Sequence, residues 1–284
     1  MTKETIIGVD LGGTKVSIGK VEENRIVKHA SSSISAEGSE KKVLKEIIQA
    51  IEKIFDPDIA GIGVGVPSVV DVEKGIVYNA QNIPSWKEVR LKEILERHLH
   101  KPVYINNDAN CFAVGEKYFG KGKKYHNLVG VTLGTGMGSG IIINDRLYCG
   151  ANCGAGEFGT VPYKKSTLEY YCSGQFFIGE YGTRGDQVYA RAKQGDKAAL
   201  KIFEQFGANL GEAIMIIMFA VDPEAIIIGG SVSRAFPFFE KSMRERMKSF
   251  PYKLAVKRLV IEKSDQSQIA ILGAAALYYD AQLD

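Results

Sequence analysis

Apolar and polar positions alternate at both ends of one short stretch, Ile6 to Ile18 (I-I-G-V-D-L-G-G-T-K-V-S-I), and the alternation breaks only at Gly12-Gly13-Thr14. Period-two patterning on either side of a glycine turn predicts two strands joined as a hairpin. Leu128 to Ile141 (L-V-G-V-T-L-G-T-G-M-G-S-G-I) repeats the pattern. Laid over the first copy, Gly130 meets Gly8, Val131 meets Val9, Leu133 meets Leu11, Gly134 meets Gly12 and Ser139 meets Ser17, while Thr132 meets Asp10. Two such hairpins, each heading a half-chain, suggest duplicated domains facing each other across a cleft.

The remaining pattern alternates strands with helices. Arg25 to Ser31 reads as a third strand. Ser39 is placed to cap a helix that carries Val43, Leu44, Ile47, Ile48, Ile51 and Ile54 on one face and stops at Asp56-Pro57. Ile59 to Val66 intersperses glycine with β-branched residues, as a buried strand under close backbone approach would, and Pro67-Ser68 turns the chain. Asn79 to Trp86 is a polar loop with the only tryptophan, a candidate lining for a sugar site, and a helix covers Leu91 to Leu99. Pro102 to Ile105 is a short strand ending in Asn106-Asn107-Asp108, and a helix follows from Ala109 to Phe119. Asp108 thus stands where a strand gives way to a helix, the usual exit point for functional side chains in an α/β fold, although a plain helix cap reads the same. Gly120 to His126 is the expected seam between halves. After the second hairpin, Gly150 to Thr160 gathers many glycines around Glu157, and Leu168 begins a helical stretch carrying Glu169. Asp196 to Ala220 is an amphipathic helix stopped by Asp222-Pro223. Ala225 to Ser233 is a buried strand delivering Gly229-Gly230 to a turn, where a flat ring could lie against the backbone. Phe239 to Phe250 reads as helix, Ala255 to Ile261 as strand, and Ile269 to Tyr279 as a small-residue helix suited to close packing.

Composition narrows the function class. A chain of 284 residues suits about two domains, each with its own core. The net charge of +3 comes from scattered lysines and arginines, which gives no nucleic-acid footprint. No signal-peptide pattern precedes the first strand, and the apolar run Ala213 to Val221 is short for a membrane span, so a cytoplasmic protein with neither nucleic-acid nor membrane partners is expected. The four cysteines read as incidental thiols. A metal or iron–sulfur site at Cys149 and Cys153 lacks a second Cys/His pair.

The two glycine turns carry the candidate chemistry. Without Cβ atoms their backbone N–H groups can approach an anion, Thr14 adds a hydroxyl donor, and Asp10 offers an oxygen ligand to a hard cation such as Mg²⁺. A polyphosphate held from both sides fits this arrangement.

These motifs, in this order, resemble the ROK family of sugar kinases and related repressors, within the actin/hexokinase-like ATPases. D-L-G-G-T-K at Asp10 is similar to the superfamily's first phosphate motif, L-G-T-G-M-G-S-G at Leu133 to the second, and I-I-I-G-G-S-V-S at Ile226 to the adenosine motif. I-N-N-D-A-N at Ile105 resembles the segment whose Asp is the family's catalytic base, and G-E-F-G at Gly156 and L-E-Y at Leu168 match segments whose glutamates bind sugar hydroxyls. The resemblance covers nearly the whole chain and implies an α/β fold of two ribonuclease-H-like domains about a central cleft. The small domain is expected at 1–108 with 270–284, closed by the C-terminal helix, and the large one at 109–269.

It further implies ATP-dependent phosphorylation of a hexose hydroxyl, O6 by default, with glucose as the default sugar and fructose, mannose or an N-acetylhexosamine open. Asp108 is the expected base. Asn107, Asp108, Glu157, Glu169, Thr160, Ser68 and Asn82 are the expected sugar contacts. Asp10, Gly12, Gly13, Thr14, Lys15, Gly134, Thr135, Gly136, Gly229, Gly230 and Ser231 are the expected ATP contacts, with Asp10 on the Mg²⁺ side, and a homodimer is the family habit. Two departures matter. Where the family has G-E-x-G-H and a Cys-rich zinc loop, this chain has Thr160 and then V-P-Y-K-K-S-T without cysteine, so no zinc is expected. Ser68 replaces the usual glycine after Pro67. The rivals are a sugar-responsive repressor, for which only Met1 to Thr5 stand ahead of the first motif, a catalytically silent sugar sensor, and an iron–sulfur activase of the same superfamily.

Overall fold

The computed structural model describes residues 4–283, so residues 1–3 and 284 of the expected domain ranges lie outside the described residues. Ile6–Leu11 (β1) and Lys15–Glu22 (β2) form the predicted hairpin, with Leu11 opposite Val16, and Arg25–Ser33 (β3) extends it. Glu40–Glu52 (α1) buries Val43, Leu44, Ile47 and Ile51. Its N-cap Ser39 makes no side-chain capping bond. Gly61–Val66 (β4) is buried along its whole length. A small three-stranded sheet follows, Val69–Asp71 (β5), Ile76–Tyr78 (β6) and Glu88–Val89 (β7), and then Leu91–Leu99 (α2) and Val103–Asn107 (β8). The first five-stranded sheet runs β3-β2-β1-β4-β8, with β1, β4 and β8 parallel.

Asp108–Tyr118 (α3) leaves this sheet and packs against the second hairpin, Leu128–Leu133 (β9) and Met137–Ile143 (β10). Arg146–Tyr148 (β11) and the hairpin of Pro162–Tyr163 (β12) and Ser166–Thr167 (β13) follow. The helices Leu168–Cys172 (α4), Gly174–Tyr181 (α5), Gly185–Lys193 (α6) and Lys197–Val221 (α7) come next, then Ala225–Gly229 (β14). Phe236–Met247 (α8), Lys253–Arg258 (α9), Val260–Lys263 (β15) and Ile269–Asp280 (α10) complete the described chain.

The second sheet runs β11-β10-β9-β14-β15, with the same sequence of antiparallel and parallel neighbours as the first. The suggested duplication is therefore visible in the topology. The overlay slips past the turn, however: Leu133 faces Met137 in the second hairpin, so the return strand starts one residue earlier than in the first. A one-residue shift exchanges the faces of a strand. Ser17 accordingly sits opposite Asp10, while Gly138, and not Ser139, sits opposite Thr132.

Length and composition would let α7 cross a membrane, but here Phe203, Phe206, Leu210, Ile214 and Ile217 are buried in the core behind the second sheet. α10 lies on the first sheet and crosses α3. A Cβ on Gly63 would stand 1.7 Å from the Ala274 carbonyl oxygen, and one on Gly273 would stand 1.9 Å from the Cys111 carbonyl oxygen, so these positions admit only glycine. Ala255 to Ile261, expected as strand, is helical to Arg258 and extended only from Val260. Its apolar pairs Ala255-Val256 and Leu259-Val260 recur at helical spacing too, and Leu259 N–H bonds the Ala255 carbonyl.

Candidate active site

β8 ends the first sheet at Asn107, and the chain turns at once into α3. The side chain of Asn107 caps that helix: its Oδ1 accepts from Ala109 N–H at 2.8 Å, and its Nδ2 donates to the Ser68 carbonyl at 3.2 Å. Because Asn107 takes the capping place, Asp108 is not the cap but the first helical residue, with one oxygen accepting from Ala109 N–H at 2.8 Å. Asp108 is exposed to the open cleft, yet crowded by its walls. Burial raises its pKa to about 6, the Ala109 N–H opposes that rise, and the charge of Asp10 adds to it.

Asp10 is the last residue but one of β1, beside the first glycine turn. Its carboxyl is also raised, by burial, and is opposed by Lys15. Asp10 is thus a hard oxygen donor, of the kind a divalent cation takes, next to backbone amides and a lysine that suit anionic oxygens. Among the described residues no group of three or more His, Cys, Asp or Glu side chains is arranged to hold a metal by itself. Gly12 N–H bonds the Lys15 carbonyl at 2.9 Å to close this turn, and Asn82 lies over it: a Cβ on Gly13 would be 2.5 Å from Asn82 Cβ. Thr14 is exposed at the tip.

The second turn is held from behind. Gly134 N–H bonds the Gly136 carbonyl at 2.9 Å, Gly174 N–H bonds the Gly134 carbonyl at 2.7 Å, and Ser173 Oγ donates to the Thr135 carbonyl at 3.0 Å. Ser173 also caps α5, so that helix begins against the turn. Glu169 reaches the same place. Its carboxylate accepts from Met137 N–H at 3.1 Å and from Gln175 Nε2 at 3.0 Å. A Cβ on Gly136 would stand 2.3 Å from Glu169 Oε2, so a side chain there would push the Glu169 carboxylate aside.

Glu157 stands exposed after the glycine loop. Its pKa is raised by burial first, then by Asp108 and Glu169, which brings the three carboxylates within electrostatic reach of one another. Thr160 donates its hydroxyl to the Glu157 carbonyl at 2.8 Å and so shapes the turn that carries Glu157. Gly156, at φ 92°, passes close under Ser139, whose hydroxyl donates to the Gly156 carbonyl. Ser68 is buried, with its hydroxyl given to the Tyr78 carbonyl. It meets the site through its backbone, by way of Asn107.

Two expectations change. Trp86 is fully buried in the first core, so it does not face a ligand. Gly229 has its open face covered by the ring of Phe112, and Gly230, at φ 82°, presses on the backbone of Leu133. The flat ring against Gly229 is thus the chain's own. Ser231 instead lines a cavity of about 440 Å³ together with Gly134, Thr135, Gln175, Tyr189 and Arg234. Gln175, Tyr189 and Arg234 were missed. Only the Ser173-Gly174 start of α5 marks their region in the sequence, and nothing local aims it at the second turn.

The segment in place of a Cys-rich loop is the β12–β13 hairpin, turning on Lys164 at φ 52°. Tyr163 meets Tyr171 edge to face with ring centroids 5.4 Å apart, and Lys164 Nζ sits 4.9 Å over the Tyr171 ring. Buried Asn209 accepts from Lys164 Nζ at 2.6 Å and from the Tyr163 hydroxyl at 3.3 Å. This clamp holds the entry to α4, and hence Glu169, by aromatic and cation–π contacts.

Comparison with known proteins fits this geometry. The family model described as "ROK family" matches residues 6–281. A glucokinase of Thermotoga maritima is 30% identical over 98% of this chain and 98% of its own. The xylose repressor of Caldicellulosiruptor bescii is 29% identical over 96% of this chain and 77% of its own. The structure of a ROK family glucokinase from Streptomyces griseus, in complex with glucose and AMPPNP, superposes with a TM-score of 0.80 at 27% identity, covering 96% of this chain and 98% of that one.

Proposed function

The chain belongs to the ROK family, and we propose that it is a sugar kinase that transfers the γ-phosphoryl group of ATP to a hexose hydroxyl, O6 of glucose by default. The observation that carries this reading is Asp108: a carboxyl at the head of α3, in the cleft, with a pKa raised to about 6 and two further carboxylates, Glu157 and Glu169, close by. A base of that strength is largely ionised at neutral pH and still a useful proton acceptor. The names of the T. maritima and S. griseus relatives, both glucokinases, support the choice of substrate.

In this reading the sugar lies between Asn107, Asp108, Asn82, Glu157, Thr160 and Glu169. The glutamates accept hydrogen bonds from vicinal hydroxyls, and Ser68 acts by holding Asn107. Asp108 takes the hydroxyl proton as the sugar oxygen bonds to phosphorus and the bond from phosphorus to the bridging oxygen of ADP breaks. Gly12, Gly13, Thr14 and Lys15 on one side, with Gly134, Thr135 and Gly136 on the other, face the phosphates. The start of α5 adds its partial positive charge at the second turn. Ser231, placed by the Gly229-Gly230 turn at the end of β14, belongs to the cavity that suits the adenosine. Asp10 is the residue that would hold Mg²⁺, directly or through water, and the ion would neutralise phosphate charge.

The test is ADP release with ATP and Mg²⁺ across glucose, fructose, mannose and N-acetylhexosamines. One sugar should give turnover that Asp108→Asn lowers by at least about 100-fold while its binding persists. Near-normal turnover by folded Asp108→Asn would remove Asp108 as base. The xylose-repressor relative supports a second reading, a regulator that binds sugar without turning it over. Saturable sugar binding with no ADP release for any sugar would favour it.

A further inference from the structure

Two thiols that the reaction does not use sit on Asn106, in the strand that leads to the proposed base. Cys149 and Cys153 flank the turn after β11, in the second half of the chain, yet Cys153 is buried in the core of the first half and Cys149 packs against it. Both sulfurs rest on one buried side chain, Asn106. Its Nδ2 donates to Cys149 Sγ at 3.3 Å, and its Oδ1 lies 3.5 Å from Cys153 Sγ. Asn110 Nδ2 donates to Asn106 Oδ1 at 2.9 Å, and Asn107 N–H reaches the same oxygen at 2.8 Å. Asn106 therefore links the thiol pair to Asn107 and Asp108.

The surroundings divide the labour between the sulfurs. The neighbouring Cys149 draws the Cys153 thiol down against the opposing effect of its burial, while Cys149 is itself pushed up by Cys153 and by burial. Cys149, though not Cys153, borders a cavity of about 220 Å³ with Asn106, Tyr104, Lys92 and Asp280, so a small oxidant there would approach the pair from the Cys149 side. Cys153 keeps 7% of its surface and is followed by exposed Gly154. Cys111 and Cys172 are buried elsewhere, in different clusters from this pair.

We propose that Cys149 and Cys153 form a reversible dithiol site for peroxide, whose oxidation draws both sulfurs off Asn106 and weakens the adjoining sugar site. The Cys153 thiolate attacks one oxygen of hydrogen peroxide, the O–O bond breaks, and hydroxide leaves as water after taking a proton. Cys153 becomes a sulfenic acid. Cys149 then loses its proton, its sulfur bonds to that of Cys153, the S–O bond breaks and a second water leaves. Two thiols have given up two electrons to one peroxide. An S–S bond of about 2 Å is shorter than any contact between two thiols, so the turn must tighten, and Asn106 loses both sulfur partners.

The chemistry is independent of the kinase reading; only the activity loss rests on it. Reduced protein is exposed to graded hydrogen peroxide, quenched by alkylation, digested with trypsin and weighed. The expected result is a Leu147–Lys164 peptide lighter by two hydrogen atoms and closed to alkylation, with Cys111 and Cys172 peptides unchanged until higher peroxide. In parallel, kcat/KM for the sugar should fall about tenfold or more through KM and return with dithiothreitol. In Cys149→Ser, measured against its own reduced form, dimedone should trap Cys153 as sulfenic acid and no intramolecular disulfide should form. Free, alkylatable Cys149 and Cys153 at peroxide levels that oxidise Cys111 or Cys172 would overturn the proposal, as would a Cys149–Cys153 disulfide with unchanged KM. If no sugar is turned over at all, the peptide masses still decide the dithiol and only the kinase reading falls.

Discussion

At the scale of single residues the site holds three carboxyls, Asp10, Asp108 and Glu157, whose pKa values burial raises. Asp108 shows this best, because burial and Asp10 outweigh the helix-start N–H group it faces. The sign of the pH dependence follows. Only the ionised form can take a proton, so kcat/KM should be level above neutrality and fall as pH drops through about 6, the limb of the free enzyme's base. A limb unchanged by Asp108→Glu or lying near pH 4 would assign it elsewhere. The same shift has a consequence for stability. A carboxyl whose folded pKa is raised favours the fold while protonated, and that contribution is lost as pH rises through the folded value. Asp108→Asn should therefore melt higher than wild type at pH 8, with the gap closing between pH about 6 and about 4, as followed by thermal denaturation. A gap that widens at acid pH would reverse the argument.

At the scale of elements, the short hairpin β12–β13 braces the entry to α4. Tyr163, Tyr171, Lys164 and Asn209 meet behind α4, and Glu169 lies in the first turn of that helix. Lys164→Ala removes the cation and its bond to Asn209. It should destabilise the fold by about 1 kcal/mol and raise the sugar KM with kcat nearly kept, because Glu169 is displaced while Asp108 is untouched. Dialysis against a chelator strong enough to strip zinc should leave the melting temperature unchanged, and metal analysis should find no stoichiometric zinc. A full equivalent of tightly held zinc would show that the hairpin is not the clamp. The second glycine turn is coupled to the same element. Gly136 leaves room for Glu169, so the second glycine turn and the head of α4 share one packing contact.

At the scale of the whole molecule, two sheets of equal topology are joined by the crossing of α3 and α10. Gly273 sets the closeness of that crossing, and Gly8 and Gly63 set the closeness of α10 on the first sheet. A Cβ on Gly63 would lie 1.7 Å from a backbone carbonyl, and backbone gives way less readily than a side chain. Gly63→Ala should cost about 3 kcal/mol or more, read from urea unfolding, and should impair turnover although no ligand touches it. A variant as stable as wild type would mean that α10 can shift freely on its sheet.

Much of this was legible along the chain because local burial writes itself as period. The twin hairpins, the helix Leu91–Leu99, the long helix from Asp196 and the acid at the end of a strand all follow from spacing and turn chemistry within a few residues. Where two periods fit, as around Ala255, the pattern could not choose, and packing against one side alone gave helix. What the tertiary structure alone decided are the meetings of side chains distant in sequence: Glu169 on Gly136, Phe112 on Gly229, Asn82 over Gly13, and Cys149 with Cys153 on Asn106. A residue's type limits what it can do chemically, but which partner it meets depends on how two separately folded sheets are brought together, and no local period carries that information.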